Sequence, residues 1–394
     1  MRILLINHFP LEGSGSGVYT LNTAKSLIKK GHEVSIIMPE VTTKYKRYDN
    51  IKLNPVYFLD KEKIEGQLPF NFPCFTTHPK STNNFFDMTD SDINLYIDTF
   101  DKKIKKEIDE FKPDIIHVQH IWILAYVATK YNIPVVITAH GTDIIGHERS
   151  NRFHKYTNEA AKKCKKIICI SDDNKELVLN NFPFVNDKVM QIKNGYDETV
   201  FYKEKYDKKE VLKELGINKD YNKIVCFAGK LTKIKGVDVL LEAANVYEKK
   251  DVLTLIAGNG ELFGELNNLK DKLGLKNVYF LGNKDHDTLR KIYNISDVSI
   301  VPSRFEAFGL VAVEALACGT FVIASNVGGL PGIINNKVGI ITKKDDSKML
   351  AKFIDDVLNK KITYNSNSAS KYAYDNYAQT SIIDSLINVY KSVI

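Results

Sequence analysis

Two glutamates, Glu306 and Glu314, lie on either side of the short segment Phe308-Gly309-Leu310. Gly309 interrupts the chain, and the stretch from Leu310 onward is made of strong helix formers. The first-turn N–H groups of a helix have no partner within the helix and attract anions. A diphosphate bound at these amides would therefore have a carboxylate on each side to accept hydrogen bonds from sugar hydroxyls.

The segments around these glutamates indicate a strand–loop–helix–strand unit. Residues 298–302 are strand-like and precede Glu306, and residues 321–324 form the next strand-like run. Glu306 would then follow the carboxyl end of a strand, which is where open α/β sheets bind ligands. The spacing of two glutamates is a weak signal by itself, and a buried amphipathic helix with two incidental acids is the alternative.

A second loop supplies fixed positive charge. Residues 229–236 contain Lys230 and Lys235 beside glycines and follow another predicted strand of the same half. Fixed cations suit a diphosphate, whereas a solvated lysine loop is the alternative. Gly258 and Gly260 leave the same predicted sheet edge, where a flexible backbone can wrap around a base or a ribose.

The first predicted strand of the chain runs into a glycine-rich loop, residues 13–17. Its candidate anion-binding positions are Gly15, Ser16 and Gly17, because glycines let backbone amides approach an anion at a helix N-terminus. The GxGxxG fingerprint of dinucleotide-binding proteins is absent, because its third glycine would fall on Val18 or on Thr20. A P-loop is also excluded, because no GxxxxGK[ST] motif occurs. A plain tight turn remains the alternative.

His140 and Asp143 follow a strand-like run in the first half. This position is at the carboxyl edge of the predicted sheet, so both are candidate substrate contacts. Thr142 or Asp143 could instead cap the next helix and leave His140 available for substrate.

Two Asp-x-Asp segments resemble the motifs that hold a metal and a sugar phosphate. They are Asp90–Asp92 and Asp285–Asp287, and both precede predicted helices. We interpret them as helix N-caps and expect no metal site.

Strands and helices alternate along the chain, and runs of β-branched residues indicate strands buried on both faces of parallel sheets. The predicted fold class is α/β, with two Rossmann-like, doubly wound parallel-sheet domains facing across a cleft. Residues 1–187 form the first domain, residues 188–375 the second, and residues 376–394 a closing helix. Residues 45–92 interrupt the alternation and are predicted to be an ordered insertion with an aromatic surface.

Composition agrees with a protein of two globular domains. The chain has 394 residues, 44% of them apolar and 26% charged, and a net charge of +7. We expect no nucleic-acid partner; the lysine clusters are interpreted as solvated helix faces, with peripheral membrane association as the alternative. Five cysteines without metal spacing predict free buried thiols in a reducing compartment. With no apolar stretch of membrane-spanning length, we expect a cytoplasmic protein.

Taken in order along the chain, these motifs resemble retaining glycosyltransferases of the GT-B type, family 4. The resemblance extends over nearly the whole chain. The matching positions include Gly15, Gly17, His140, Asn194-Gly195-Tyr196-Asp197, Lys230, Lys235, Gly258, Gly282, Glu306, Phe308, Gly309, Leu310, Glu314, Gly328 and Gly329.

The resemblance implies a role for each main site residue. Lys230 and Lys235 would hold the diphosphate together with the amides of residues 308–310. Glu314 would bind the ribose, Glu306 the donor sugar, and His140 would lie beside the reacting sugar and the acceptor.

Two departures from the family pattern affect these roles. Lys230 stands where arginine is usual, so the charge is kept but bidentate geometry is lost. Gly332 stands where a glutamate often follows Gly-Gly-x-Pro, which leaves helix capping or donor contacts there in doubt.

The implied activity is metal-independent, retaining hexosyl transfer from a nucleoside-diphosphate sugar, with UDP as the expected nucleotide. No cofactor is expected, the acceptor is a small polar molecule or a glycan, and the oligomeric state is open. The motif His140-Gly141-Thr142-Asp143 and the insertion resemble the corresponding segments of bacterial family members that transfer N-acetylglucosamine to small polar acceptors. The alternatives are an epimerase or hydrolase on the same fold and a catalytically silent nucleotide-sugar-binding subunit.

Overall fold

The computed structural model describes residues 1–76, 78–246 and 251–394. The chain divides into two compact units, the first formed by Met1–Asn194 with Ile382–Ile394 and the second by Gly195–Ser381. Residue 77, inside the predicted insertion, lies outside the described residues.

The first unit is built on a seven-stranded parallel sheet with a two-stranded sheet beside it. Its strands are β1 (Arg2–Ile6), β2 (Glu33–Glu40), β3 (Ile51–Tyr57), β4 (Pro73–Cys74), β5 (Asn83–Asn84), β6 (Ile115–Gln119), β7 (Val135–Ala139), β8 (Lys166–Cys169) and β9 (Val189–Gln191). The order of the large sheet is β3-β2-β1-β6-β7-β8-β9. The winding direction therefore reverses between β1 and β6, where doubly wound sheets bind ligands.

Helices cover this sheet, whose central strands are buried. They are α1 (Gly15–Lys29), α2 (Asp90–Phe111), α3 (Ile123–Ala128), α4 (Thr142–Arg149), α5 (His154–Lys163) and α6 (Asp172–Asn181), with 3-10 turns at Asn151–Phe153 and Pro183–Val185.

The predicted insertion differs from the expectation of an aromatic surface. Phe58, Phe72, Phe75 and Phe85 are buried and belong to one hydrophobic core with the helices of the first unit. Burying these rings removes a large apolar area from water, so the segment folds into the core. Part of it, β3, is the edge strand of the main sheet.

The second unit contains a six-stranded parallel sheet. Its elements are α7 (Lys208–Glu214), β10 (Lys223–Ala228), α8 (Val237–Ala244), β11 (Val252–Ala257), α9 (Phe263–Lys272), β12 (Val278–Gly282), α10 (His286–Ile295), β13 (Val298–Val301), α11 (Leu310–Ala317), β14 (Phe321–Ser325), α12 (Leu330–Ile333), β15 (Gly339–Thr342), α13 (Ser347–Leu358) and α14 (Ser366–Tyr377), with a 3-10 turn at Lys233–Lys235. The order is β12-β11-β10-β13-β14-β15, so the switch point lies between β10 and β13. The predicted α/β class with two parallel doubly wound sheets is confirmed.

The division between the units lies a few residues beyond the predicted position. The strand β9, which the sequence predicts to belong to the second domain, pairs in parallel with β8 in the first sheet. The last helix, α15 (Gln379–Lys391), belongs to the first unit from Ile382 onward. There the Tyr390 hydroxyl and His117 Nδ1 are 2.6 Å apart.

All five cysteines are free and buried, as predicted. Among the described residues, no helix has both the length and the apolar character needed to cross a membrane.

Candidate active site

In the second unit, the lysine loop and the Glu306 loop leave the two strands that flank the switch point. Lys230 and Lys235 follow β10, and Glu306 follows β13. Parallel neighbours end at the same sheet edge, so the fold brings these two motifs together although about seventy positions separate them in the sequence.

Glycines let these loops pack backbone against backbone. A Cβ atom on Gly236 would overlap the carbonyl oxygen of Pro302, and one on Gly258 would overlap that of Gly229. Gly328 approaches the carbonyl oxygen of Glu306 equally closely. Since φ is positive at all three glycines, only glycine fits without strain.

The Gly258 loop is tied to its neighbours by backbone hydrogen bonds. The Gly258 N–H donates to the Gly282 carbonyl at 2.8 Å, and the Leu231 N–H donates to Asn259 at 3.0 Å. Gly260 lies against the Leu231 backbone, where a Cβ would overlap it. The predicted candidates Gly258, Gly260 and Gly282 therefore lie together at the edge that carries Lys230.

Lys235 and Glu306 form an ion pair across the two loops. Lys235 Nζ lies 2.5 Å from Glu306 Oε2, and the two side chains are only 26% and 14% exposed. Ser303 Oγ is 3.4 Å from the same carboxylate oxygen. This partial burial lowers the local dielectric and strengthens the attraction between the two charges. A lysine and a glutamate are thus preorganised side by side.

The segment 308–310 forms the start of α11 as predicted. Gly309 is the N-cap with φ of 111°, and α11 begins at Leu310. The Phe308 side chain is buried against Tyr377, so its backbone rather than its ring is available to a ligand. The N–H groups of Leu310 and Val311 precede the first hydrogen bond of α11, which runs from the Ala312 N–H to the Gly309 carbonyl at 2.9 Å. Such first-turn amides form a favourable site for an anion.

Glu314 lies within α11 and is partly buried. Burial disfavours its charged form and raises the pKa of the carboxyl to about 8. Near neutral pH this side chain is therefore mostly a neutral acid, which can both donate and accept a hydrogen bond.

Glu314 should make the protein less stable as the pH rises. Its pKa is higher in the folded chain than in the unfolded chain, so the folded state binds the extra proton between about pH 4.5 and pH 8. The stabilisation is complete below that window and is lost as the pH rises through it. We expect Glu314→Gln to flatten the fall in unfolding free energy between pH 5 and pH 8. Urea unfolding at both pH values measures this, with Glu265→Gln, an exposed carboxylate on α9, as control; identical slopes for wild type and Glu314→Gln would contradict it.

In the first unit, the glycine-rich loop ends at Ser14 and is therefore shorter than the predicted loop over residues 13–17. Gly15 to Gly17 already form the first turn of α1, because the Ser14 side chain caps the helix and accepts from the Gly17 N–H at 3.0 Å. A Cβ on Gly17 would overlap the Pro10 carbonyl oxygen. Ser16 is buried, with its hydroxyl 3.4 Å from Asn7 Oδ1.

His140 follows β7, next to the end of β6. Its Nε2 lies 2.9 Å from Gln119 Oε1, and its ring packs against Tyr19 and His120. Burial lowers the pKa of His140 to about 3, so the imidazole is neutral at physiological pH. The residue is 9% exposed and acts as a hydrogen-bonding group rather than a cation.

Asp143 does not fit the predicted role of a substrate contact. Its carboxylate accepts from the Ile121 N–H at 2.7 Å and the His140 N–H at 3.1 Å, and the side chain is fully buried. Burial raises the pKa of Asp143 to about 6, while these N–H donors lower it. Both oxygens are therefore used to position the loop that carries His140.

The Asp-x-Asp segments are part of helix caps. Asp92 forms a capping box with Thr89 at the start of α2, and Asp285 accepts from the Thr288 N–H at the start of α10. Asp285 is the N-cap of α10, so its interpretation as a capping residue is confirmed. At α2 the N-cap is Thr89, and Asp92 contributes as the N3 residue of the capping box.

Sequence reasoning missed Ser14, Gln119 and the pair Arg304 and Asp238, whose guanidinium and carboxylate are joined at 2.7 Å. Gln119 ends a predicted strand beside His140, and Arg304 lies two residues before Glu306. Their positions next to identified motifs were the only signal available.

Comparison with known proteins gives the family. Residues 13–200 match the family model described as Glycosyltransferase Family 4, and residues 207–376 match Glycosyl transferases group 1. An uncharacterised glycosyltransferase of Methanocaldococcus jannaschii is 30% identical over 99% of this chain and 98% of its own length. The chain belongs to glycosyltransferase family 4. The resemblance identified from the motifs is thereby confirmed.

Other similar proteins include one curated enzyme and one solved structure. The N-acetyl-α-D-glucosaminyl L-malate synthase of Bacillus anthracis is 28% identical over 84% of this glycosyltransferase and 80% of its own chain. The structure of Anabaena HepE in complex with UDP-glucose superposes with a TM-score of 0.73 at 18% identity, covering all of both chains. This second likeness supports the GT-B fold.

Proposed function

We propose that this glycosyltransferase moves a hexose, N-acetylglucosamine or a related sugar, from a UDP-linked donor to a small polar or glycan acceptor, with retention and without a metal. The observation that carries the proposal is the Lys235–Glu306 pair at the switch point of the second unit. UDP is supported by the ligand of HepE, and N-acetylglucosamine by the name of the Bacillus anthracis relative.

Each group in the second unit has a defined task in this proposal. Lys230, Lys235 and the first-turn amides of α11 stabilise the diphosphate as it leaves, because fixed donors need no reorganisation when the charge develops. Glu306 holds the donor sugar. Glu314 accepts a hydrogen bond from a ribose hydroxyl or donates one to it. In the first unit, His140 offers a neutral imidazole to the reacting sugar and the acceptor.

Product analysis tests this function directly. Purified protein is incubated with UDP-, GDP-, ADP- and dTDP-sugars, with and without a panel of polyol, hydroxy-acid and sugar acceptors, and products are followed by NMR. We expect UDP release that depends on an acceptor and a new glycosidic bond with the donor's anomeric configuration. An epimerised donor, or free sugar as the main product regardless of acceptor, would favour the alternative activities.

Activity should be independent of divalent metal ions. Lysines and helix amides supply the positive charge, and the Asp-x-Asp carboxylates at Asp92 and Asp285 are used in helix caps. We expect turnover in EDTA to equal that in Mg²⁺ or Mn²⁺. Complete loss in EDTA with recovery on adding Mn²⁺ would contradict the metal-independent part of the proposal.

A further inference from the structure

We propose that Arg304 is a positioning residue that fixes the Lys235 turn against the Glu306 loop and so sets the geometry of the donor-binding pair. The inference rests on the proposed function of that pair. The Arg304 guanidinium donates to Asp238, Asp345 and the Lys233 carbonyl, so it acts through the segments that carry Lys235 and Glu306.

The guanidinium of Arg304 is held on three sides. Nη1 and Nη2 donate to the two carboxylate oxygens of Asp238 at 2.9 and 2.7 Å, and Nε donates to Asp345 at 2.6 Å. Asp238 lies in the first turn of α8, directly after the lysine turn. The bidentate pair therefore joins the Glu306 loop to the helix that follows Lys235.

Two further hydrogen bonds reach the lysine turn itself. Nη1 also donates to the Lys233 carbonyl at 2.7 Å, and the backbone N–H of Arg304 donates to the Ile234 carbonyl at 2.7 Å. Directly beside these contacts, Gly236 lies against the Pro302 carbonyl. The residues immediately before Lys235 and those immediately before Glu306 are thus bonded to each other.

These contacts require arginine rather than any cation. They use four of the five guanidinium N–H donors in a fixed plane, and they neutralise Asp238 and Asp345 beside a loop assigned to a diphosphate. The ammonium of lysine has three donors on a flexible chain and cannot reproduce the fork. We therefore expect Arg304→Lys to keep the charge but to loosen the spacing between Lys235 and Glu306.

The test compares Arg304→Lys with Arg290→Lys. Arg290 is a matched control in the same unit: its side chain is 15% exposed against 23% for Arg304, and it donates to Asp287, Tyr206 and the Val200 carbonyl, away from the donor loops. Loss of positioning lowers kcat by about 10- to 100-fold for Arg304→Lys. Arg290→Lys should stay within about twofold of wild type at a similar change in Tm. Equal losses of kcat in both variants, or normal kcat in Arg304→Lys, would overturn the proposal.

A double variant separates positioning from general stability. If Arg304 acts through Glu306, adding Arg304→Lys to Glu306→Gln should lower kcat by less than about threefold further, whereas its effect on Tm should persist. Full additivity in kcat would overturn the proposal. If Arg304→Lys does not fold, Asp238→Asn takes its place with the same two outcomes.

Failure of this inference and failure of the proposed function give different results. Wild-type kcat in both Lys235→Ala and Glu306→Gln would contradict the assignment of the donor site itself. Large losses of kcat in those two variants, with normal kcat in Arg304→Lys, would contradict only the role of Arg304.

Discussion

Replacing Lys235 with alanine should lower kcat by roughly 30- to 1,000-fold. In the proposed reaction the lysine contact strengthens as the diphosphate leaves, and losing such a contact costs about 2–4 kcal/mol of transition-state stabilisation. Its removal also leaves Glu306 without the partner that lies 2.5 Å away, so a carboxylate without its cation would face the diphosphate. Binding of free UDP should weaken as well.

Lys233→Ala provides the matched control for this measurement. Lys233 lies in the same 3-10 turn but is exposed. Steady-state kinetics and UDP titration by calorimetry should show near-normal values for Lys233→Ala and large losses for Lys235→Ala. Near-normal turnover in Lys235→Ala would contradict the role proposed for Lys235.

Glu306→Gln and Glu314→Gln should affect different kinetic constants. In the proposed donor site Glu306 faces the sugar, on which positive charge develops as its bond to phosphate breaks, so its contact should be stronger in the transition state. Its loss lowers kcat, by about 100-fold if it resembles the loss of one oxyanion-hole donor in size. In the same proposed site Glu314 contacts the ribose, which does not react, so its replacement should chiefly raise KM for the donor.

The contrast between the two variants is the internal control, because both make the same chemical change within one loop–helix segment. Initial rates over a range of donor concentrations, together with UDP titration by calorimetry, separate the two effects. Full kcat in Glu306→Gln combined with normal UDP binding in Glu314→Gln would show that this motif does not surround the donor.

The sequence predicted the strands, the switch-point loops and the segment 308–310 because these depend on local patterns. Runs of β-branched residues are buried on both faces of a parallel sheet, and Gly309 occupies a left-handed conformation that begins α11. The loops were therefore identified together with the edge of the sheet they share.

What could not be predicted depends on contacts between distant segments. The Lys235–Glu306 ion pair joins residues 71 positions apart, and nothing in either motif specifies that the two side chains meet. Asp143 was assigned to substrate because its position after a strand favours function, but its carboxylate is used by the backbone of Ile121 and His140. The insertion was predicted to have an aromatic surface because the sequence alone does not show which distant residues pack against its rings.

A crystal structure of the protein with UDP bound tests the donor site most directly. We predict that the diphosphate lies within hydrogen-bonding distance of Lys235 Nζ and of the first-turn amides of α11, with a ribose hydroxyl on the Glu314 carboxyl. Density for the nucleotide elsewhere, with the Lys235–Glu306 loop edge unoccupied at saturating UDP, would contradict it.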